Sequence, residues 1–291
     1  MTPLLTFVIP VRHPANSRDW SQQVANLRQT TASIAAQDDP GWRTVVVANT
    51  GAELPPMPAK FDVLRVAFPP NPVHDRKDLL PDARFDAVRL DKGRRVLAGA
   101  LQAWRSRYLM VVDDDDFVSR KLAGFVHAHD GANGWAFRDD GYVWGDGGRL
   151  VYREPAFSDL CGTSHVVRTD LYRLPASAAD ADVEYVKQML GSHRFVAPRL
   201  AAAGVPLSPL PFPGAIYRVG HPGSHSGSSK VLTQFVLNRR SLRRPLASLR
   251  NLTRVSVLTQ ALREEFFGDA VAAAAVTPAV EHIHDAGPAI V

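Results

Sequence analysis

A single cysteine, Cys161, occurs in the 291 residues. No disulfide can form within the chain, and a cysteine-built structural zinc site is not expected. That usage fits a reducing compartment, and a cytoplasmic location is the expectation. No run is long and apolar enough to span a bilayer. The apolar start of the chain, residues 1–14, lacks a preceding basic stretch and a small-residue cleavage site. It reads as a buried strand rather than a secretory leader. No Gly-x-x-x-x-Gly-Lys-Ser/Thr loop and no strand-borne Gly-x-Gly-x-x-Gly occurs, which argues against P-loop and dinucleotide-binding enzymes. The arginines are not interleaved with aromatics and no reader motif is present, so nucleic acid is not an expected partner.

Hydrophobic residues make up 45% of the chain and charged residues 22%, enough for one large α/β domain with an appendix. The net charge is +5, and arginines crowd the C-terminal part (Arg239, Arg240, Arg243, Arg244, Arg250). Residues 5–11 read as a strand. Trp20, Val24, Leu27, Thr31 and Ile34 then recur at helical spacing, with Ser17 or Asp19 as N-cap. Residues 44–48 and 62–68 are further strands. A helix starting near Asp91 or Lys92 carries Val96, Leu97, Ala100, Leu101 and Trp104 on one face, and a fourth strand covers residues 108–112. This alternation predicts a mostly parallel sheet with helices on both faces. Ligands of such sheets bind beyond the carboxyl ends of the strands, here after Val11, Ala48 and Val112. Residues 142–144 and 150–153 read as a hairpin turned by Gly147 and Gly148. Residues 184–203 read as mostly helical, closed by Gly204. From Val231 onward the apolar spacing is again helical, through Val255, Leu258, Leu262 and Phe266.

The chemistry gathers where the fourth strand ends, at Asp113-Asp114-Asp115-Asp116. Four adjacent carboxylates repel one another, and after a buried strand they call for a cation. Oxygen ligands of this kind suit Mg²⁺ or Mn²⁺, ions that commonly bridge to substrate phosphates. The bland alternative is a solvated acidic turn, which the apolar strand before the cluster disfavours.

A strand ending in Asp-x-Asp, reached through three strand–helix units, resembles the GT-A glycosyltransferases, family 2 in particular. Phe7-Val8-Ile9-Pro10-Val11-Arg12 is similar to that family's first strand, Leu90-Asp91-Lys92-Gly93-Arg94-Arg95 to the segment before its Asp-x-Asp strand, and Ile216-Tyr217-Arg218-Val219-Gly220-His221-Pro222-Gly223-Ser224 to its late loop. The resemblance implies a GT-A catalytic domain over residues 1–228, Rossmann-like, with a helical extension over 229–291. It also implies a hexosyl transfer from a nucleotide-diphospho-sugar to a glycan or lipid-linked acceptor, with a UDP-sugar as working assumption. By the same resemblance Asp113, Asp115 and His221 would hold Mn²⁺ or Mg²⁺. Pro10, Val11, Arg12, Asn49, Lys92, Arg95, Asp113 and Asp114 would bind the nucleotide-sugar. Asp113-Asp114-Asp115 and Asp114-Asp115-Asp116 both spell the motif. Lys92 and Arg95, at a helix start, would add charge at the phosphates.

The chain departs from the family where its second strand ends neutrally, at Ala48-Asn49-Thr50-Gly51. The position of the inverting family's catalytic Asp falls on Ser192-His193. His193 is then a candidate base or a packing histidine, with Asp159, Asp182 and Glu184 nearby, and the choice between inversion and retention stays open. The basic C-terminal segment reads as a helix packed on the domain, or as a peripheral contact to the inner face of an anionic membrane. Two other functions compete: a non-catalytic nucleotide- or carbohydrate-binding module of the same fold, and a metal-dependent nucleotidyltransferase.

Overall fold

Every residue of β1 (Leu5–Pro10) is buried, as a continuous apolar run at the centre of a sheet requires. In a computed structural model, which describes residues 3–73, 81–103, 105–137, 141–220, 251–268 and the backbone of 281–283, β1 is flanked by two parallel partners. One is β2 (Trp42–Asn49), with Leu5 opposite Trp42. The other is β4 (Tyr108–Val111), with Leu5 opposite Tyr108. β3 (Phe61–Val66) continues the parallel run beyond β2.

Side chains alternate across β1, and a helix covers each face. Leu5, Phe7 and Ile9 join Leu27 and Ile34 of α1 (Trp20–Ala35) in one core. Val8 faces the other way, into the core containing Val96, Leu97 and Ala100 of α2 (Pro81–Gln102). Asp19 caps α1 by accepting from the Gln22 N–H at 3.0 Å, which decides between the two expected caps. Gly99 lets α2 lie against the sheet, since a Cβ there would meet Val8 and Val47.

The large sheet is mixed: among the described residues five of its seven strand pairings are parallel and two are antiparallel. β9 (His165–Arg168) runs antiparallel to β4 on one side and to β6 (Gly134–Ala136) on the other. β10 (Ser208–Pro209) extends that edge, and β13 (Glu281–Ile283) lies beside β3. A second mixed sheet has the order β12-β8-β7-β11-β5. Its strands are β5 (Phe117–Val118), β7 (Gly141–Gly145), β8 (Leu150–Arg153), β11 (Ala215–Val219) and β12 (Val255–Val257). The expected hairpin is β7–β8, and Gly147 in its turn has φ +70°.

Three helical expectations change. α2 begins at Pro81, so Lys92 and Arg95 sit in its middle rather than at its start. The 184–203 segment is divided: α5 (Val183–Tyr185) runs into a π-turn (Val186–Leu190), and α6 (His193–Ala202) follows the break at Gly191. Pro198 lies inside α6 without ending it. Gly204, at φ +76°, closes the helix, with Val205 N–H bonded to the Leu200 carbonyl at 2.9 Å. In the tail, Val255–Val257 is strand, paired to β8, before α7 (Gln260–Phe266). Edge pairing to β8 overrides the helical spacing there. Phe266 is buried against the second sheet. Trp104 and residues 221–250, with most of the basic tail, lie outside the described residues.

Candidate functional site

The strand order fixes where a ligand belongs. The chain leaves β1 for β2 and β3 on one side, then returns to β4 on the other. The order therefore reverses between β1 and β4, and a crevice opens beyond their carboxyl ends. Pro10 and Arg12 follow β1, and the four aspartates follow β4. A pocket of about 180 Å³ lies there, walled by Pro10, Arg12, Asp91, Lys92, Arg95, Asp113, Asp114, Asp115, Tyr217 and Arg218.

The four carboxylates have different surroundings. Asp113 is ion-paired with Lys92 Nζ, and its backbone N–H donates to Thr163 Oγ1 at 2.9 Å. A side chain on Gly162 would collide with both members of that ion pair. Asp114 is buried, and its Oδ2 has no hydrogen-bond partner among the described residues. Burial pushes its carboxyl up to about 6, against the opposing pull of Arg12. Asp115 lines the pocket. Asp116 points inward and is fully buried. Its Oδ2 accepts from Thr163 Oγ1 at 2.6 Å and Cys161 Sγ at 3.2 Å, and its Oδ1 accepts from the Arg218 N–H at 3.3 Å. Burial raises the Asp116 carboxyl well above the ordinary range. Asp116 thus ties the loop after β4 to the segment before β9 and to β11, leaving Asp113, Asp114 and Asp115 lining the crevice.

The cations form two groups. Burial lowers the Lys92 ammonium, but the charge and hydrogen bond of Asp113 outweigh it, and the net shift is upward. Arg95 is fully buried within α2, held by Asp91 and by Asn49 Oδ1 at 2.6 Å. Asn49 also donates to the Phe68 carbonyl at 2.6 Å, so its amide is engaged on both sides, behind the pocket. Val11 is buried too, its N–H bonded to the Val47 carbonyl at 2.9 Å. Arg218 comes from the second sheet. Its Nη2 and Nε donate to Asp146 Oδ1 at 2.8 and 3.1 Å, and its Nη1 donates to Gln29 Oε1 at 2.6 Å. The guanidinium also lies over Phe117 and Trp144.

His193 and Asp159 border a neighbouring groove of about 320 Å³, together with His165 and Arg194. His193 also reaches a small cleft that Lys92 shares with the first pocket. His193 Nε2 is 3.3 Å from the Asp159 carbonyl. A carbonyl only accepts, so that contact puts the proton on Nε2 and leaves Nδ1 as the acceptor. Burial and the Lys92 charge push the imidazole down to about 4. Of the alternatives, Asp182 caps α5 through the Tyr185 N–H at 2.8 Å, and Glu184 pairs with Lys187.

Among the described residues, no three His, Cys, Asp or Glu side chains converge as a ready metal cage. His221 lies outside them. The residues present still suit a hard cation, because Asp113, Asp114 and Asp115 line one pocket and a buried Asp114 oxygen has no partner among the described residues. Mg²⁺-type sites commonly use one or two carboxylates and complete the shell with substrate phosphates and water. Sequence reasoning missed Thr163, Gly162, Asp146 and Gln29, whose roles arise from contacts distant in the chain.

Fold and site together define an α/β protein with a charged crevice at a topological switch point. No family model matches the chain, and no curated protein matches it. Among solved structures, the chain is similar to the crystal structure of S. aureus TarS at a TM-score of 0.37 and 14% identity, covering 74% of this chain and 36% of that one. The crystal structure of S. aureus TarS 1–349 gives a TM-score of 0.36 and 14% identity, over 74% of this chain and 60% of that one. The chain thus spans about a third and three fifths of the two. Likeness at this level carries no argument about function, which rests on the site itself.

Proposed function

We propose that the chain is a metal-dependent glycosyltransferase of the GT-A type, moving a hexosyl group from a nucleotide-diphospho-sugar to a glycan or lipid-linked acceptor. One observation carries the reading: at the switch point between β1 and β4, three carboxylates face a crevice that also holds Arg12, Lys92 and Arg218. Carboxylates alone would suit a cation, and arginines alone an anion. Both in one crevice suit a cation–diphosphate pair.

Asp113 and Asp115 would hold Mn²⁺ or Mg²⁺, with Asp114 beside them and His221 as a further ligand. The metal, when bound, acts as a Lewis acid on the leaving nucleoside diphosphate. Lys92 is the residue placed to change partners. It neutralises Asp113 in the metal-free chain, and a metal at Asp113 would release it toward phosphate. Arg12 adds charge from the β1 side, and Arg218, fixed by Asp146 and Gln29, does so from the second sheet. Arg95 contributes by holding Asn49 and Asp91 rather than by reaching the donor. The acceptor would enter along the groove of Asp159 and His193. Transfer forms the new glycosidic bond at the sugar's anomeric carbon as the bond to the diphosphate breaks. The acceptor's hydroxyl proton leaves to a base on that side.

The test is a screen of nucleotide-sugars, UDP-sugars first, for thermal stabilisation with Mn²⁺ and with EDTA. Native-state binding raises apparent stability with ligand concentration. Metal-dependent stabilisation by one donor, followed by its turnover, is the expected result. Donor affinity that ignores EDTA would remove the metal from the reading. Binding without turnover under any acceptor would leave only a binding module.

A further inference from the structure

A larger groove, of about 920 Å³, opens at the other end of β4. Arg107 stands immediately before the strand. Arg168 ends its antiparallel neighbour β9, and Arg173 follows the 3-10 turn Thr169–Tyr172. The four residues of β4, three of them buried and together roughly 13 Å of strand, separate this groove from the carboxylates. It is no part of the proposed donor site and does not depend on that reading.

Three features mark it as built for a ligand. The first is Arg173, which adopts φ +52°, a left-handed conformation that normally selects glycine at the end of a helical turn. Its exposed guanidinium has no ion-pair partner among the described residues. A residue held in an unfavourable backbone conformation, with its charge unpaired among the described residues, points to a use outside the fold. The second is the state of its neighbours. Arg107 pairs with Asp130 at 2.8 Å, and Arg168 pairs with Asp170 at 2.7 and 3.2 Å, both at the surface. Exposed pairs of this kind are weak and exchange readily for a better anion. Between them, buried Thr169 has an Oγ1 with no hydrogen-bond partner among the described residues. The third is the rest of the lining: Leu101, Leu174 and Pro175 supply an apolar side that a bare inorganic ion would not use.

We infer that this groove is a second binding site, for a small phosphomonoester whose phosphate is carried on an apolar or ring-shaped group. The guanidiniums of Arg173 and Arg107 take the phosphate, for which planar paired donors are suited. Leu101, Leu174 and Pro175 take the apolar portion.

The test titrates the full chain with phenyl phosphate, inorganic phosphate and phenol, read by calorimetry and by thermal shift. Phenyl phosphate should bind more tightly than either fragment. Arg173→Gly is the decisive variant because glycine relieves the left-handed backbone. It should keep or raise the melting temperature while weakening phenyl phosphate at least tenfold. Arg107→Gln should weaken it too, and Asp115→Asn, in the other crevice, should leave it unchanged. Unaltered phenyl phosphate affinity in Arg173→Gly would overturn the site. So would equal affinities for phenyl phosphate and inorganic phosphate, or loss of binding in Asp115→Asn.

Discussion

The crevice at the switch point has two walls of different construction. The wall from the large sheet is adjustable. Its Lys92–Asp113 pair is about a quarter exposed, and Asp114 keeps a buried oxygen unmatched among the described residues. The wall from the second sheet is fixed: Arg218 is 4% exposed, hydrogen-bonded to Asp146 and Gln29 and stacked over two aromatic rings. The contrast teaches a division of labour. On the proposed reading a cation would complete the first wall, whereas the second is preorganised and costs no rearrangement when charge develops nearby.

Substitutions on the two walls should therefore fail differently. On the adjustable wall, Asp115→Asn should weaken metal-dependent donor binding by about 100-fold or more, since a charged ligand to a divalent ion is lost. Its melting temperature without metal should barely move. Unchanged donor affinity in that variant, with and without EDTA, would erase the distinction between the walls. On the fixed wall, Arg218→Met should cost stability first, about 3 kcal/mol by urea denaturation, the scale for removing one member of a buried ion pair. Ordinary stability in Arg218→Met would mean that wall is not fixed by these contacts.

A subtler probe reverses the sign. Asp114 is 5% exposed and its carboxyl is pushed up to about 6 from 3.8. Between those values the folded chain holds more protons than the unfolded one, so stability falls as pH rises through the window. The penalty is absent below about 3.8 and complete above about 6. Asp114→Asn should consequently stabilise the metal-free protein at pH 7 by on the order of 1–3 kcal/mol. Most of that gain should vanish at pH 4. A loss of stability at pH 7 would show that Arg12 already satisfies the carboxylate.

The two walls also differ in how far the sequence revealed them. Apolar runs such as 5–10 and 108–111, and the helical period from Trp20 to Ile34, announce the large sheet and α1. The carboxylate cluster stands out because acid after an apolar strand is chemically conspicuous. Direction in the sheet was less legible, because β9 reverses through pairings set by tertiary contacts. The second sheet gathers β5, β7, β8, β11 and β12 from residues 117 to 257, and only the β7–β8 hairpin has a local signature. Arg218 was conspicuous, but Asp146 and Gln29, 72 and 189 residues away, were not. Asp116 shows the same limit inside one motif. Nothing in four identical residues says which one turns inward to Thr163 and Cys161.

The smallest effect is expected at His193, which the proposed reading puts on the acceptor side of the adjustable wall. Burial and Lys92 place its imidazole near 4. It is therefore neutral at pH 7 and able to accept a proton at Nδ1. A base is most effective when its pKa lies near the working pH, so one at about 4 contributes at the low end of the usual range. His193→Gln should lower kcat by about tenfold, with donor affinity nearly unchanged. An acidic limb governed by His193 should lie near pH 4 rather than 6.5, and the substitution should remove it. The same shift has a stability consequence. Between about 4 and 6.5 the unfolded chain binds the extra proton, so His193's burial lowers stability progressively as pH falls through that window and costs nothing above it. His193→Gln should flatten that decline by about 1 kcal/mol, a figure reduced for partial solvent access. A pH–rate profile with an unchanged limb in His193→Gln would take the residue out of the mechanism. A thousandfold loss of kcat, with a limb near 6.5 in the parent chain, would instead make it the full base and show that bound substrate restores its ordinary pKa.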